Sequence, residues 1–331
     1  MLPFLLLVLM ASKVNLRQVK DGKGLNALHL AAANGHLEVC RFLVEELGLD
    51  VNSASAGGGT PVHFAAAGGN VRVLGYLLDR GGDPAIQDSM GGSTPLHDAA
   101  LRGVLPRFRG GLEHISFVRS FVWALELRGC EAAAVQGCWR LGVDLLSSRG
   151  TPLHMAACTA HDEVVKVLLE HGADPNKCFN NILPLMVACS AKSLKCMKLL
   201  VQAGADVNYI CPSGPSILTA AADQGLTDIV KFLLDAGADP NIADKDGTFP
   251  IMKAAAKEHR ELVEILFPLT RQIPTVPAWS IDGIIRTMKH LRFQPQEPVE
   301  KQLADAKSQA KEAFANGDFL YAAYLYELVN A

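Results

Sequence analysis

The chain has 331 residues, of which 49% are apolar, 20% charged and 6% aromatic, so a disordered chain is excluded. The 31 basic and 34 acidic residues leave a formal net charge of −3, which excludes a generally basic protein built to neutralise nucleic-acid phosphates. The eight cysteines contain no Cys-x-x-Cys pair, so they predict neither a disulfide scaffold nor a zinc cluster.

The chain begins with an apolar run over residues 1–10. This run is too short to cross about 30 Å of hydrocarbon as a helix. No Lys or Arg precedes it and no Ala-x-Ala site follows it, which argues against a signal peptide. The favoured interpretation is an apolar N-terminal segment, residues 1–21, that covers the open end of the next part of the chain. A membrane anchor formed by residues 1–10 stays open as the alternative.

Residues 22–276 repeat one motif. Four copies begin with Thr or Asn, have a histidine three residues later, and have an Ala-Ala pair that starts two residues after the histidine. The histidines are at positions 29, 63, 97 and 154. Three weaker copies carry Met, Thr and Met at positions 186, 219 and 252. The second half of a copy has apolar residues at i, i+3 and i+4 and ends in Gly-Ala-Asp-x-Asn, as at 172–176. A period near 33 residues with Thr-Pro-Leu-His-x-Ala-Ala resembles the ankyrin repeat.

Helix chemistry accounts for the motif. A Thr before Pro caps free N–H groups, the Ala pair permits close packing, and the late Gly takes a positive φ that ends the second helix. One repeat cannot bury its own apolar face, so the repeats are expected to stack. The predicted fold class is an all-α ankyrin-repeat solenoid of helix-turn-helix units with β-hairpin-like fingers, followed by a short helical tetratricopeptide-like hairpin.

The ten histidines do not predict a reactive site. Four occupy the motif position just described, where the ring is expected to bond to the Thr and to backbone. His36, His161 and His259 share a second position of the repeat, and His171 precedes a helix-ending glycine. The sequence also has no phosphate-binding glycine loop at a strand–helix junction and no nucleophile–base set. We therefore predict no catalytic residue, no cofactor and no metal ligand.

The third repeat is interrupted. The step from position 97 to 154 is 57 residues, and Leu-Arg-Gly occurs at 101–103 and again at 127–129. Removing 104–129 restores a continuous repeat, so this range is predicted to be an insertion. Its Arg, Phe and Trp content is consistent with an arm for a partner or an anionic surface, or with a tolerated insertion. Either way, the insertion predicts a division of the array, with one part ending near residue 103 and the other starting near 149.

The tail leaves the repeat pattern. Residues 277–300 predict a capping helix, from Ile281 to about His290, and a linker. Residues 301–331 resemble the opening of a tetratricopeptide repeat, with Ala313-Phe314 and Gly317-Asp318-Phe319 as signature parts. The combination resembles plant ankyrin–tetratricopeptide proteins, which implies a non-enzymatic scaffold. Some tetratricopeptide domains hold chaperone C-terminal tails through a Lys/Asn/Arg clamp; here Lys307 matches, Lys311 replaces the Asn, and no such binding is expected.

These patterns predict a non-catalytic scaffold that binds a protein partner on the concave ankyrin surface. We expect a monomer in the cytoplasm or nucleus with no nucleic-acid or membrane partner. The alternative function is a membrane-associated ankyrin scaffold anchored by residues 1–10. Candidate partner-binding residues lie at first-helix ends and at finger tips. They are Asn34, Gln224 and Lys257 in the first group, and Gln87, Asp88, Lys177, Asn180, Tyr209, Asp244, Lys245 and Asp246 in the second.

Overall fold

The computed structural model describes residues 19–102, 143–212, 214–274, 276, 278–292, 307, 308, 310 and 311. The predictions for residues 1–10, for the insertion 104–129 and for most of the tetratricopeptide-like segment 301–331 lie outside these ranges. The chain divides into two compact units, one up to Ala205 and one from Asp206. Within the described ranges the regular structure is helical, with two isolated bridges and no strand, so the predicted all-α class is confirmed. None of the helices in these ranges is long and apolar enough to cross a membrane.

The first unit is built from stacked helix pairs. First helices pack against first helices, and second helices against second helices, so the apolar faces meet in a continuous core. In chain order the helices are α1 (Ala27–Ala33), α2 (Leu37–Arg41), α3 (Pro61–Gly68), α4 (Val71–Asp79), α5 (Pro95–Arg102), α6 (Pro152–Cys158), α7 (Asp162–Glu170), α8 (Pro184–Ser190) and α9 (Leu194–Gln202).

A buried Thr–His pair lies at the start of α3, α5 and α6, as the motif predicts. In α3 the ring Nδ1 of His63 lies 3.1 Å from the backbone N of Thr60 and 3.0 Å from its Oγ1. Because Nδ1 accepts the backbone proton, Nε2 carries the ring proton and donates to the carbonyl of Ser93, 3.1 Å away, which precedes the next repeat. The ring therefore joins neighbouring repeats. The same Nε2 bond runs from His29 to Gly59 (3.2 Å), from His97 to Gly150 (3.1 Å) and from His154 to Ile182 (3.1 Å).

The repeats on either side of the insertion pack directly. Helix α5 contacts α6, and the ring of His97 reaches the carbonyl of Gly150. The backbone N of Ser148 also donates to the carbonyl of Gly91 at 2.6 Å. The two compact units divide after Ala205 and not at the insertion. The prediction that the array is weakest at the insertion stays a prediction.

An asparagine ladder joins the loops after the second helices. Asn52 donates from Nδ2 to the carbonyl of Gly81 (3.0 Å) and accepts from the backbone N of Asp83 (2.8 Å). In repeat three Asp144 takes the equivalent position and accepts from the backbone N of Asp174 at 3.1 Å. A carboxylate cannot donate the second bond, so the ladder is chemically altered at this repeat. Within the second unit the ladder is formed by Asn208 and Asn241.

Repeat one contains a π-helix that the sequence analysis did not predict. The interval from His36 to Gly48 is one residue longer than the equivalent interval from His161 to Gly172. The extra residue is accommodated where α2 continues into a π-helix at Phe42–Glu46. This turn places Glu45 where it accepts from the Tyr76 hydroxyl at 3.2 Å and pairs with Arg80.

The second unit holds two further repeats and a closing helix. Its helices are α10 (Ile217–Asp223), α11 (Thr227–Asp235), α12 (Pro250–Ala256), α13 (Arg260–Leu266) and α14 (Ile281–Arg292). Helix α14 packs against α12 and α13, where Arg260 Nη1 lies 2.7 Å from Asp282 Oδ1. The connector before α14 stacks the ring of Trp279 on Phe267 with centroids 5.6 Å apart. This helix therefore covers the side of the last repeat that no further repeat covers in this unit.

Candidate partner-binding surface

Three of the predicted binding residues lie at the ends of first helices. Asn34, Gln224 and Lys257 are the residues that follow α1, α10 and α12, and all three are exposed. Asn34 also donates from Nδ2 to the carbonyl of Leu30 at 2.8 Å, which ties its side chain to the helix end. Each of these helices has seven residues, so about 10 Å separates such an end from the finger at the helix start. The finger and the helix end of one repeat thus lie at opposite ends of the same helix and do not form one cluster.

The finger before α5 contains Gln87 and Asp88. Gln87 is exposed and donates from Nε2 to the carbonyl of Leu146 on the next finger, at 3.3 Å. Asp88 is half-buried, and its Oδ1 accepts from the backbone N of Gly91 (3.0 Å) and Ser93 (2.9 Å). Gln87 therefore offers a surface side chain, while the carboxylate of Asp88 shapes the turn that carries it.

The finger before α8 is a tight hairpin. Asn180 and Asn181 have φ values of 48° and 62°, between the paired residues Phe179 and Ile182. Two successive positive φ angles match the hairpin turn that follows the right-handed twist of its strands, and Asn adopts them at low cost. Asn180 is exposed at the tip, whereas Lys177, earlier in the same finger, is half-buried.

The fingers of the second unit place their predicted residues differently. Lys245 and Asp246 are exposed, and Tyr209 is half-buried. Asp244 is only 9% exposed, and its Oδ1 accepts from the backbone N of Asp246 (3.0 Å) and Thr248 (2.8 Å). Its carboxylate is therefore used inside the turn, and the two residues after it supply the surface charge of this finger.

The structure also exposes apolar side chains that the sequence analysis missed. Met90 is 84% exposed, Leu146 43% and Ile182 40%, and all three lie in fingers of the first unit. Leu30, on α1 between a finger and a helix end, is 49% exposed. The sequence signal was an apolar residue inside a turn that is otherwise built from Gly, Ser, Asp and Asn, where polar residues are the usual choice.

The buried titratable groups are held in uncharged forms. Desolvation lowers the pKa of His97 to about 4, although the Gly150 carbonyl opposes the shift, and burial also lowers the pKa of His63. Burial raises the pKa of the Cys40 and Cys189 thiols to about 11, so neither is a thiolate at neutral pH. Among the residues that the structure describes, no three His, Cys, Asp or Glu side chains come together as a metal site would require. The surface groups described above are therefore the ones available for recognition.

Stacked helix pairs with projecting fingers define a repeat protein whose recognition surface is assembled from successive units. A family model described as ankyrin repeats (3 copies) matches residues 3–88, 127–211 and 185–275. Because these matches cover more than half of the chain, the chain belongs to the ankyrin repeat family.

Individual relatives match shorter parts of the chain. The transient receptor potential channel pyrexia of Drosophila melanogaster is 39% identical over 116 residues, which is 34% of this chain and 12% of the channel. The mouse B-cell lymphoma 3 protein homolog is 36% identical over 118 residues, 35% of this chain and 26% of that protein. The crystal structure of the ankyrin repeat domain of Bcl-3, a member of the IkappaB protein family, aligns with a TM-score of 0.59 at 27% identity. That alignment covers 73% of this chain and 99% of the domain, which confirms the ankyrin solenoid.

Proposed function

We propose that this chain is a monomeric, non-catalytic scaffold that binds a protein partner through the fingers and first-helix ends of its ankyrin repeats. The observation that carries the proposal is a set of exposed side chains on fingers whose backbones are fixed from repeat to repeat. Ankyrin repeats typically serve as interaction modules, and the fold shared with the Bcl-3 domain supports the same role here. The cysteine pattern favours the cytoplasm or nucleus as the compartment.

Fixed fingers make the surface suitable for binding. The backbone N of Ala56 donates to the carbonyl of Lys23, and that of Ser89 donates to the carbonyl of Gly57, each at 3.0 Å. Gly58 has a φ of +78°, and a Cβ there would lie 2.5 Å from the backbone N of Ser89. Neighbouring fingers are therefore in close contact before any partner arrives, so little conformational entropy is lost on binding.

The exposed and half-buried candidates supply the proposed contacts, and two candidates act indirectly. Asp88 and Asp244 use their carboxylates inside turns, so we propose that they position the fingers rather than contact the partner. In the first unit the proposed contacts are Asn34, Gln87, Lys177 and Asn180. In the second unit they are Tyr209, Gln224, Lys245, Asp246 and Lys257.

Affinity capture with the full chain, followed by mass spectrometry, tests the proposal. The purified partner is then titrated against the wild-type chain and against the double variant Lys177→Glu, Lys245→Glu. We expect about tenfold weaker binding with unchanged unfolding, because each lysine lies on a finger proposed to contact the partner and neither forms an ion pair among the described residues. The matched control reverses Lys166 and Lys198, which lie on exposed faces of second helices. Equal affinity for both double variants would exclude the two finger lysines, and failure to capture any protein would contradict the scaffold role.

A further inference from the structure

The fingers of the first unit carry mainly positive charge. We define the finger row as residues 19–25, 53–59, 86–93, 146–150 and 177–182. It contains four basic side chains and two acidic ones, in a chain whose net charge is negative. Both acidic side chains are engaged by backbone in their own turns: Asp21 Oδ1 accepts from Lys23 N and Leu25 N, each at 2.8 Å, as Asp88 does in its finger. The four basic residues are Lys20, Lys23, Arg149 and Lys177.

The loops that lead from the second helices into the fingers have the opposite charge. Residues 46–52, 79–85 and 170–176 follow the second helices and contain six acidic residues and one arginine. The arginine, Arg80, is paired with Glu45. The finger row therefore has a net positive charge, whereas the loops that lead into it have a net negative charge.

Exposed apolar side chains are concentrated in the same place. The described part of the first unit exposes five large apolar side chains, and four of them lie in the finger row. The fingers that carry Met90 and Leu146 are joined by Gln87, which donates to the Leu146 carbonyl, and by the bond from Ser148 N to Gly91 O. The four exposed side chains are Val19 (50%), Met90 (84%), Leu146 (43%) and Ile182 (40%).

We propose that the finger row binds an extended acidic segment of a partner protein in which apolar side chains are interspersed with carboxylates. The basic side chains attract and pair with the carboxylates, and the exposed Met and Leu side chains pack against the apolar ones. This inference rests on the proposed function and specifies the chemistry of the partner. A nucleic-acid strand would match the charge, but its bases bind by stacking on aromatic rings, whereas the four exposed apolar side chains of the finger row are not aromatic.

Selection of a displayed random peptide library on the full chain tests the inference. Peptides of about twelve residues, about 40 Å when extended, are long enough to contact several fingers. We expect the enriched peptides to be net acidic with Leu, Ile or Phe between the acids. Their affinity should fall about tenfold for Lys23→Glu, Arg149→Glu and about fivefold for Met90→Ser, Leu146→Ser. The matched controls are Arg72→Glu, Lys166→Glu for charge and Leu269→Ser for exposed apolar area, and they should leave affinity unchanged.

Several results would overturn the inference: neutral or basic enriched peptides, no enrichment, or an equal loss of affinity in the control variants. Tighter binding of a labelled single-stranded oligonucleotide than of the enriched acidic peptides would overturn it as well. The captured protein partner separates this failure from that of the proposed function. If that partner binds both finger-row variants as tightly as the wild-type chain, the scaffold role stands and the acidic-segment inference is wrong.

Discussion

Acid should destabilise this fold through the buried histidines that join its repeats. Folded His97 has a pKa of about 4, against 6.5 for an ordinary histidine, because burial opposes its charged form. Between these two pH values the unfolded chain binds a proton that the folded chain does not, so stability decreases as the pH falls. Moving from about pH 7.5 to about pH 5 should cost about 2 kcal/mol at His97 alone. Burial lowers the pKa of His29, His63 and His154 too, which adds to the loss.

Urea unfolding followed by circular dichroism at the two pH values measures this loss. In the variant His97→Gln the chain should be less stable at neutral pH, because the buried hydrogen bonds of the ring to Thr94 and Gly150 change, but its loss between the two pH values should shrink by about 2 kcal/mol. His36→Gln serves as the control, since His36 is exposed in a turn between helices, and it should behave as the wild-type chain. An equal pH-dependent loss in wild type and His97→Gln would refute the assignment of the acid sensitivity to His97.

Three further predictions concern stability and are read from urea midpoints. Asp144→Asn should stabilise by about 1 kcal/mol, because the amide can donate to the carbonyl of Gly172 as its counterparts do in other repeats; no gain would mean that the ladder does not extend there. Lys192→Gly should stabilise by about 0.5 to 1 kcal/mol, because Lys192 has a φ of 56° at the position that Gly35, Gly69 and Gly225 hold in other repeats; a loss would show that backbone strain at this position is negligible. Gly58→Ala should cost more than about 2 kcal/mol, because its Cβ would meet Ser89; a neutral result would show that the fingers separate easily.

The helix starts and the histidine bonds could be predicted from the sequence because they depend on local chemistry. Thr60 and Thr151 lie in extended backbone immediately before a proline, and the first helices begin at the next residue. The histidine three residues later reaches back to the Thr in each case, as the motif requires. The exposed helix ends at Asn34, Gln224 and Lys257 followed from the same repeat phase.

The remaining features depend on packing or on single insertions that a motif does not encode. The π-helix near Glu45 accommodates one additional residue, and its contacts with Tyr76 and Arg80 lie in the next repeat, which the motif does not specify. The exposure of Met90 and Leu146 depends on how neighbouring fingers lie, which periodicity does not report. The expectations for residues 1–10, 104–129 and 301–331, including the tetratricopeptide and plant resemblance, stay predictions.

Hydrogen exchange of the full chain, with and without its captured protein partner, tests the scaffold account most directly. The account predicts slower exchange on binding in the fingers, including 86–93 and 177–182, and at the ends of the first helices. It predicts no change along the outer faces of the second helices α4, α7 and α11. Protection confined to those second helices, or absent from every described finger, would contradict the account.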